Sequence, residues 1–225
     1  MSEVRVIDIH EDVFQENENV ADCIRLDLQR QGTFFINVMS SPGGGKTTFL
    51  SALINMLKDE MKIAEMDVDI ESSLDAQKVA DLTGVESIQI HNGGLCHIDA
   101  DMTSRAIAQF GARDLDLLIL ENIGNLVCPA EFDTGAYKNV MLYSITEGDD
   151  KPLKYPLMYE VSDVIIITKM DTIEFFDFDM ELAKEHIKEL NPNAEVFAVS
   201  AKTGDGMEEV ADWLRKEVML YKGDY

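Results

Sequence analysis

The 225-residue chain carries 19 Lys or Arg against 43 Asp or Glu, a net charge of −24. This excess repels phosphate over most of the surface and argues against nucleic acid and anionic membrane as partners. No apolar run reaches the roughly 18 residues of a membrane span, and the opening MSEVRVIDIHEDVF lacks the basic and apolar regions of a secretory signal. The 46% apolar content fills one core, and three cysteines, an odd number, suit metal ligation, catalysis or packing in a reducing cytoplasm better than a disulfide framework.

Residues 1–14 read as a loose start. Val20, Ala21, Ile24 and Leu28 recur at helical spacing within residues 17–30, with Gly32 at the helix end. A buried strand is expected over Phe34–Met39, a helix over Lys46–Leu57, a strand over Lys62–Val68 and a helix over Leu74–Leu82 stopped by Gly84. A strand over Val85–Ile90, a helix over Asp99–Phe110 and a fully buried strand over Leu115–Leu120 follow. Val140–Ile145 and Val164–Thr168 read as strands, Phe178–Leu190 as a helix, Val196–Ser200 as a strand and Glu208–Tyr221 as the last helix. Thr146–Pro156 is the most loop-like interior stretch and is expected on the surface and mobile. Apolar-run strands alternating with helices imply an α/β fold, a mainly parallel sheet with helices on both faces. The organisation expected is a single domain over 1–225 with an N-terminal helical extension of about 1–32.

The strand FFINVM is followed by SSPGGGKTT and a helix. This is the context of a phosphate loop, with Ser40 in place of the first glycine of G-x-x-x-x-G-K-[ST]. Gly43, Gly44 and Gly45 let backbone N–H groups turn toward phosphates at a helix N-terminus. Lys46 is expected to neutralise phosphate charge, and Thr47 to bind Mg²⁺, with Thr48 completing the set. Further on, the strand VIIIT leads into Lys169-Met170-Asp171, and the strand VFAVS into Ser200-Ala201-Lys202. These are similar to the [NT]-K-x-D and S-A-K stretches of GTP-binding proteins. Asp171 can accept from guanine N1–H and its exocyclic amine, donors that adenine lacks there. The Lys169 stem is expected over the base and the Ala201 N–H on guanine O6. Thr168, where Asn is common, is expected to weaken a brace without changing the base.

A phosphate-loop site needs a carboxylate for the Mg²⁺ shell, and neighbouring strand ends can supply it. Glu121, ending LLILEN, and Asp69 are assigned there beside Thr47. Of Asp67 and Asp69, only one is expected to face the site. Lys46, Asp69 and Asp75 are the candidate catalytic residues, although Asp75 also suits the dipole at a helix N-terminus. Gly-Gly-Leu-Cys96-His97 and Asn-Leu-Val-Cys128 each follow a strand, so Cys96, His97 and Cys128 can converge at the C-terminal edge of the sheet. Thiolate with imidazole suits Zn²⁺ or Ni²⁺. Three ligands leave a position open, or one filled by a second copy. Cys23 reads as packing.

FINVMSSPGGGKTTFL, GGLCHIDADM, LLILENIGNLVCPAEFDTG, TEGDDKPLKYPLMYEVSDVIIITKMD and NPNAEVFAVSAKTGDGMEEVADWL resemble the HypB family, GTPases that assist nickel insertion into NiFe hydrogenase. The resemblance runs from about Asn17 to Leu220. It implies a P-loop NTPase of the SIMIBI class that hydrolyses GTP and dimerises on binding it. It also implies a Zn²⁺ or Ni²⁺ site of Cys96, His97 and Cys128 at the dimer interface, and hydrogenase maturation partners that include a nickel-binding HypA-type protein. The Cys-Pro-His of urease nickel chaperones is absent. So are the cysteine-rich and His-rich N-terminal motifs of some members, and a second tight nickel site is not expected. Glu121 and Gly124 lie where the γ-phosphate would be sensed, and Cys128 follows closely, so nucleotide state is expected to alter metal affinity and the reverse. No Arg finger or Gln is evident for hydrolysis, and slow turnover follows. The rival readings are a regulatory GTPase with a structural zinc, and a P-loop kinase, against which the scarcity of Arg for a lid speaks.

Overall fold

The computed structural model describes residues 9–69, 74–111 and 113–223, with side chains from residue 14. The strands are β1 (Phe34–Ser40), β2 (Ile63–Val68), β3 (Glu86–Ile90), β4 (Leu117–Gly124), β5 (Lys138–Ser144), β6 (Val164–Thr168) and β7 (Glu195–Ala198). They pair in the order β3-β2-β4-β1-β5-β6-β7, every pair parallel. β1, β4 and β6 are buried almost throughout, as apolar strands covered on both faces must be.

The helices are α1 (Ile9–Gln31), α2 (Lys46–Leu57), α3 (Leu74–Thr83), α4 (Ala100–Phe110), α5 (Cys128–Glu131), α6 (Lys151–Lys154), α7 (Pro156–Glu160), α8 (Met180–Leu190) and α9 (Met207–Gly223). Phe49, Leu53 and Leu57 of α2, Val79 of α3 and Leu214 of α9 pack on Ile36, Val38, Ile119 and Leu142 on one face. On the other face Ile24 and Leu28 of α1 and Ala106 of α4 cover Phe35, Met66 and Leu118, while Met158, Tyr159, Ala183 and Ile187 cover Met141, Ile165 and Ile167. α1 fits so closely that a Cβ on Gly135 would lie 2.8 Å from Ile24, and Arg25 pairs with Asp133 at 2.6 Å.

Three expectations need correction. Residues 9–14 are not a loose start: α1 already begins at Ile9, and residues 1–8 lie outside the described residues. β4 does not stop at Leu120 but runs to Gly124, because buried Asn122 donates to Asn37 at 3.0 Å, and Asn37 to Asn139 at 3.0 Å, a polar ladder that carries the strand past its apolar run. Thr146–Pro156 lies largely at the surface, as expected, but it is not a loop. Ser144 and Glu147 form a capping box on a 3₁₀ turn (Ile145–Glu147), Pro152 is buried, and α6 and α7 follow.

Candidate functional site

β1 delivers its C-terminal end between β4 and β5, where the strand order reverses and parallel sheets collect ligands. Gly43 and Gly45 adopt φ of 73° and 98°, a left-handed conformation open to glycine at little cost. Gly44 is pressed so tightly that a Cβ would lie 2.8 Å from Ser40 Cβ. Gly45 caps α2, whose first turn contains Lys46, Thr47 and Thr48. Ser40, the residue that departs from the motif, receives a hydrogen bond from Lys46 Nζ at 3.3 Å.

Beneath the loop, Thr47 Oγ1 donates to Glu121 Oε1 at 3.1 Å. Asp67 sits opposite Glu121 in the β2–β4 register. With Glu65 these form a cluster whose carboxylate oxygens lie within 4.8 Å of one another, all buried. The reading that only one of Asp67 and Asp69 faces the site is corrected at its premise: residues two apart on a strand share a face. Asp67, not Asp69, stands against Glu121. Asp69 lies one residue past β2, half-buried, and Asp75 is exposed in the first turn of α3. Glu65 and Asp67 join the site without having been assigned to it from sequence, although the alternating acids of Glu65-Met-Asp67-Val-Asp69 carry the signal.

Glu65 Oε1, Asp67 Oδ2 and Glu121 Oε2 lack hydrogen-bond partners while buried. Burial raises Asp67 and Glu121 each to about 7, Lys46 opposing, and raises Glu65 to about 9 despite the hydrogen bond from Ser87. Such orphaned oxygens fit a divalent cation, and Thr47 with Glu121 and Asp67 could hold Mg²⁺. Because all three carboxyls bind protons more tightly folded than unfolded, the cation-free protein holds extra protons above the ordinary carboxylate range near 4. Its stability therefore falls as pH rises through about 7 to 9. Urea unfolding at about pH 5 and about pH 8 should show this loss without Mg²⁺ and a smaller loss with it; a flat profile would contradict the cluster's buried charge.

A cleft of about 290 Å³ opens beside the loop, lined by Gly45, Thr48, Phe49, Lys169, Asp171 and Lys202 among others. Asp171 accepts from Ser200 Oγ at 2.8 Å and lies 3.6 Å from Lys202 Nζ; the Ser200 hydroxyl holds its carboxyl below the ordinary range. Ala201 lines the same cleft. Lys169, at φ 65°, donates from Nζ to the Gly43 carbonyl at 2.8 Å. Thr168 Oγ1 donates to the Gly44 carbonyl at 3.1 Å, so the threonine itself ties the end of β6 to the glycine loop.

At the same edge Cys96 Sγ lies 2.9 Å from Cys128 Sγ and 3.8 Å from His97 Nδ1. The sulfur–sulfur hydrogen bond raises the Cys96 thiol. Gly93 and Gly94 at φ of 74° and 85° turn the chain into this position, and the His97 ring stacks on Phe132 at 3.9 Å. Cys96 is exposed, and so are the apolar residues that precede the two thiols, Leu95 before Cys96 and Val127 before Cys128. Asn125, to which the sequence assigns no role, donates to the Cys96 carbonyl at 3.1 Å and accepts from Val127 N–H at 3.0 Å. Cys23 is exposed on α1, and the packing reading is corrected accordingly.

Residues 34–198 match the family described as CobW/HypB/UreG, nucleotide-binding domain. The chain is 40% identical to hydrogenase maturation factor HypB of Rhizobium leguminosarum bv. viciae over 95% of its own length and 71% of that relative. The crystal structure of HypB from Helicobacter pylori in complex with nickel superposes with a TM-score of 0.84 at 36% identity, covering 91% of this chain and 95% of that one. The fold alone is shared with signal recognition particle 54 kDa protein from Aeropyrum pernix K1 in complex with GDP, at a TM-score of 0.59 and 13% identity, covering 91% of this chain and 53% of that one. The architecture is thus that of a P-loop NTPase of the SIMIBI class.

Proposed function

Because the chain belongs to the CobW/HypB/UreG family, as a member of its HypB branch, we propose that it is a GTP-hydrolysing metallochaperone. It assists nickel insertion into NiFe hydrogenase, with nucleotide state coupled to metal binding. The observation that carries the coupling is contiguity. A Cβ on Gly124 would lie 3.0 Å from Pro42 Cα, so the end of β4 touches the phosphate loop, and the next residue, Asn125, bonds the Cys96 carbonyl. A movement of the loop on hydrolysis thus reaches the thiols within two contacts.

The nucleotide lies with its base in the cleft and its phosphates over the loop. Asp171 accepts from the guanine edge while Ser200 and Lys202 keep it ionised and oriented. The Lys169 stem covers the base, and the Ala201 N–H meets the guanine oxygen. Backbone N–H groups of Gly43–Thr48 and the Lys46 ammonium bind the phosphates. Thr47, Glu121 and Asp67 or Asp69 would hold Mg²⁺, which when bound would supply positive charge against the terminal phosphates. Asp69 and Asp75 remain the candidates for orienting water. With no Arg finger or Gln assigned among these residues, turnover is slow and serves as a switch.

Cys96, His97 and Cys128 take Ni²⁺ as cargo, or Zn²⁺, at an exposed edge that a second copy completes across a twofold axis. Association is GTP-dependent, in the cytoplasm, and the metal passes to hydrogenase maturation partners, a nickel-binding HypA-type protein among them. Among the described residues no helix is long and apolar enough to cross a membrane. A purely structural zinc is the weaker reading, since three donors, of which Cys96 is exposed, do not close a tetrahedral shell.

The proposal is tested by GTP turnover and binding in the native protein and in Lys46→Ala. The variant should keep its circular dichroism spectrum and lose hydrolysis by on the order of a thousandfold. Near-native turnover would remove Lys46, and with it the phosphate-loop assignment.

A further inference from the structure

We propose that Glu147 is a positioning residue for the phosphate loop, acting through Ser41; the inference rests on the nucleotide reading of that loop. Ser41 Oγ donates to Glu147 Oε1 at 2.6 Å, across 106 residues of sequence. The same Oε1 accepts from Ser144 N–H at 3.3 Å, which anchors it to the end of β5. Oε2 faces Lys151 Nζ at 3.1 Å, and both side chains are nearly enclosed, at 12% and 18% exposure.

A buried carboxylate beside an anion site is unfavourable unless its charge is cancelled. Lys151 cancels it, and Oε1 is then left as a neutralised, oriented acceptor. Ser41 is the joint of the loop: its carbonyl accepts from Ser40 Oγ at 2.7 Å and from Gly44 N–H at 3.1 Å. Ser40 in turn receives Lys46 Nζ. Fixing the Ser41 side chain therefore fixes the peptide that decides where Gly44 N–H and the Lys46 ammonium point before phosphates arrive. The preorganisation lowers the ordering cost of binding. The Glu147 carboxylate is engaged by Ser41, Ser144 and Lys151, and of these only Ser41 belongs to the loop, so its effect passes through Ser41.

The test uses the full chain and measures GDP and non-hydrolysable GTP analogue affinity in Ser41→Ala, Glu147→Ala, the double variant and Glu147→Gln, with nucleotide-free thermal unfolding of each. Both single variants should weaken both nucleotides about tenfold, as for loss of a hydrogen bond to a charged group. The double variant should be no weaker than either single one, because they break the same bond. Glu147→Gln keeps the acceptor oxygen and should bind within about threefold of native even where its unfolding temperature drops. A merely structural role would lower unfolding temperature while leaving affinity at native level. Native-like affinity in either alanine variant, additive losses in the double variant, or no rescue by glutamine overturns the inference. If Glu147→Ala does not fold, Ser41→Ala against Glu147→Gln decides the question alone. A native protein that binds neither nucleotide overturns instead the reading of the loop on which this rests.

Discussion

Asp171→Asn is expected to lower GTP affinity by on the order of a hundredfold or more, and to raise xanthosine triphosphate affinity by a comparable factor. The carboxylate is an acceptor only, and guanine presents two donors to it. An amide placed there turns one acceptor into a donor, which opposes guanine N1–H or its amine but matches the xanthine carbonyl. The effect is large because Asp171 is held: Ser200 Oγ at 2.8 Å and Lys202 at 3.6 Å fix its orientation and keep it charged, so the site cannot simply turn away from a mismatch. The fold should survive, since the side chain lies at the rim of the cleft and outside all three apolar clusters. Competition binding with GTP, ATP and xanthosine triphosphate checks it. Equal affinity of the native protein for ATP and GTP would defeat the assignment of the base.

The second large effect concerns Cys128→Ala. It should weaken Zn²⁺ and Ni²⁺ binding by on the order of a hundredfold, while GTP affinity stays within about threefold. Thiols whose sulfurs lie 2.9 Å apart need little movement to share a metal once deprotonated, so each contributes a ligand that water replaces poorly. Cys128 opens α5, outside the cleft residues, which is why the nucleotide should be spared. The same variant should lose metal-driven dimerisation. Sedimentation of native and Cys128→Ala protein, apo, with Zn²⁺ or Ni²⁺, and with GDP or a GTP analogue, reads both. A native protein that stays monomeric throughout, or an unchanged metal affinity in the variant, would refute the shared site.

Much of this is legible in the residues. Short apolar runs such as VIIIT and LLIL read as covered strands, and a Gly-Gly-Gly-Lys-Thr between strand and helix leaves few alternatives to a phosphate loop. Composition misleads where tertiary contacts decide. TEGDDKPLKYP is polar and proline-bearing, the signature of a surface loop, yet a capping box and the largely enclosed Glu147–Lys151 pair order it into a 3₁₀ turn and short helices. Asn122 has the look of a strand end, but a ladder of asparagine amides across β4, β1 and β5 satisfies it where a lone buried amide would break the sheet. Asp67 escapes any reading that sets it and Asp69 on opposite faces. The period of a strand is two, so the acids at 65 and 67 share a side; the register with β4 sets Asp67 opposite Glu121, and Glu65, opposite Ile119, joins them in the buried cluster. Locally Asn125 reads only as a turn residue, its Oδ1 accepting from Val127 N–H, while the bond that matters here runs to the carbonyl of Cys96, 29 residues away.

The proposed linkage of nucleotide state to metal affinity runs through the contact of Gly124 with Pro42 and the bond from Asn125 to Cys96. Calorimetric titration of the full chain with Ni²⁺, and separately with Zn²⁺, in saturating GDP and in saturating non-hydrolysable GTP analogue with Mg²⁺ measures that linkage directly. Affinities should differ by about fivefold or more between the two states, with an equal factor when nucleotide is titrated with and without metal. Metal affinity that is the same in both nucleotide states would contradict it and leave a GTPase whose thiols bind metal without reference to the switch.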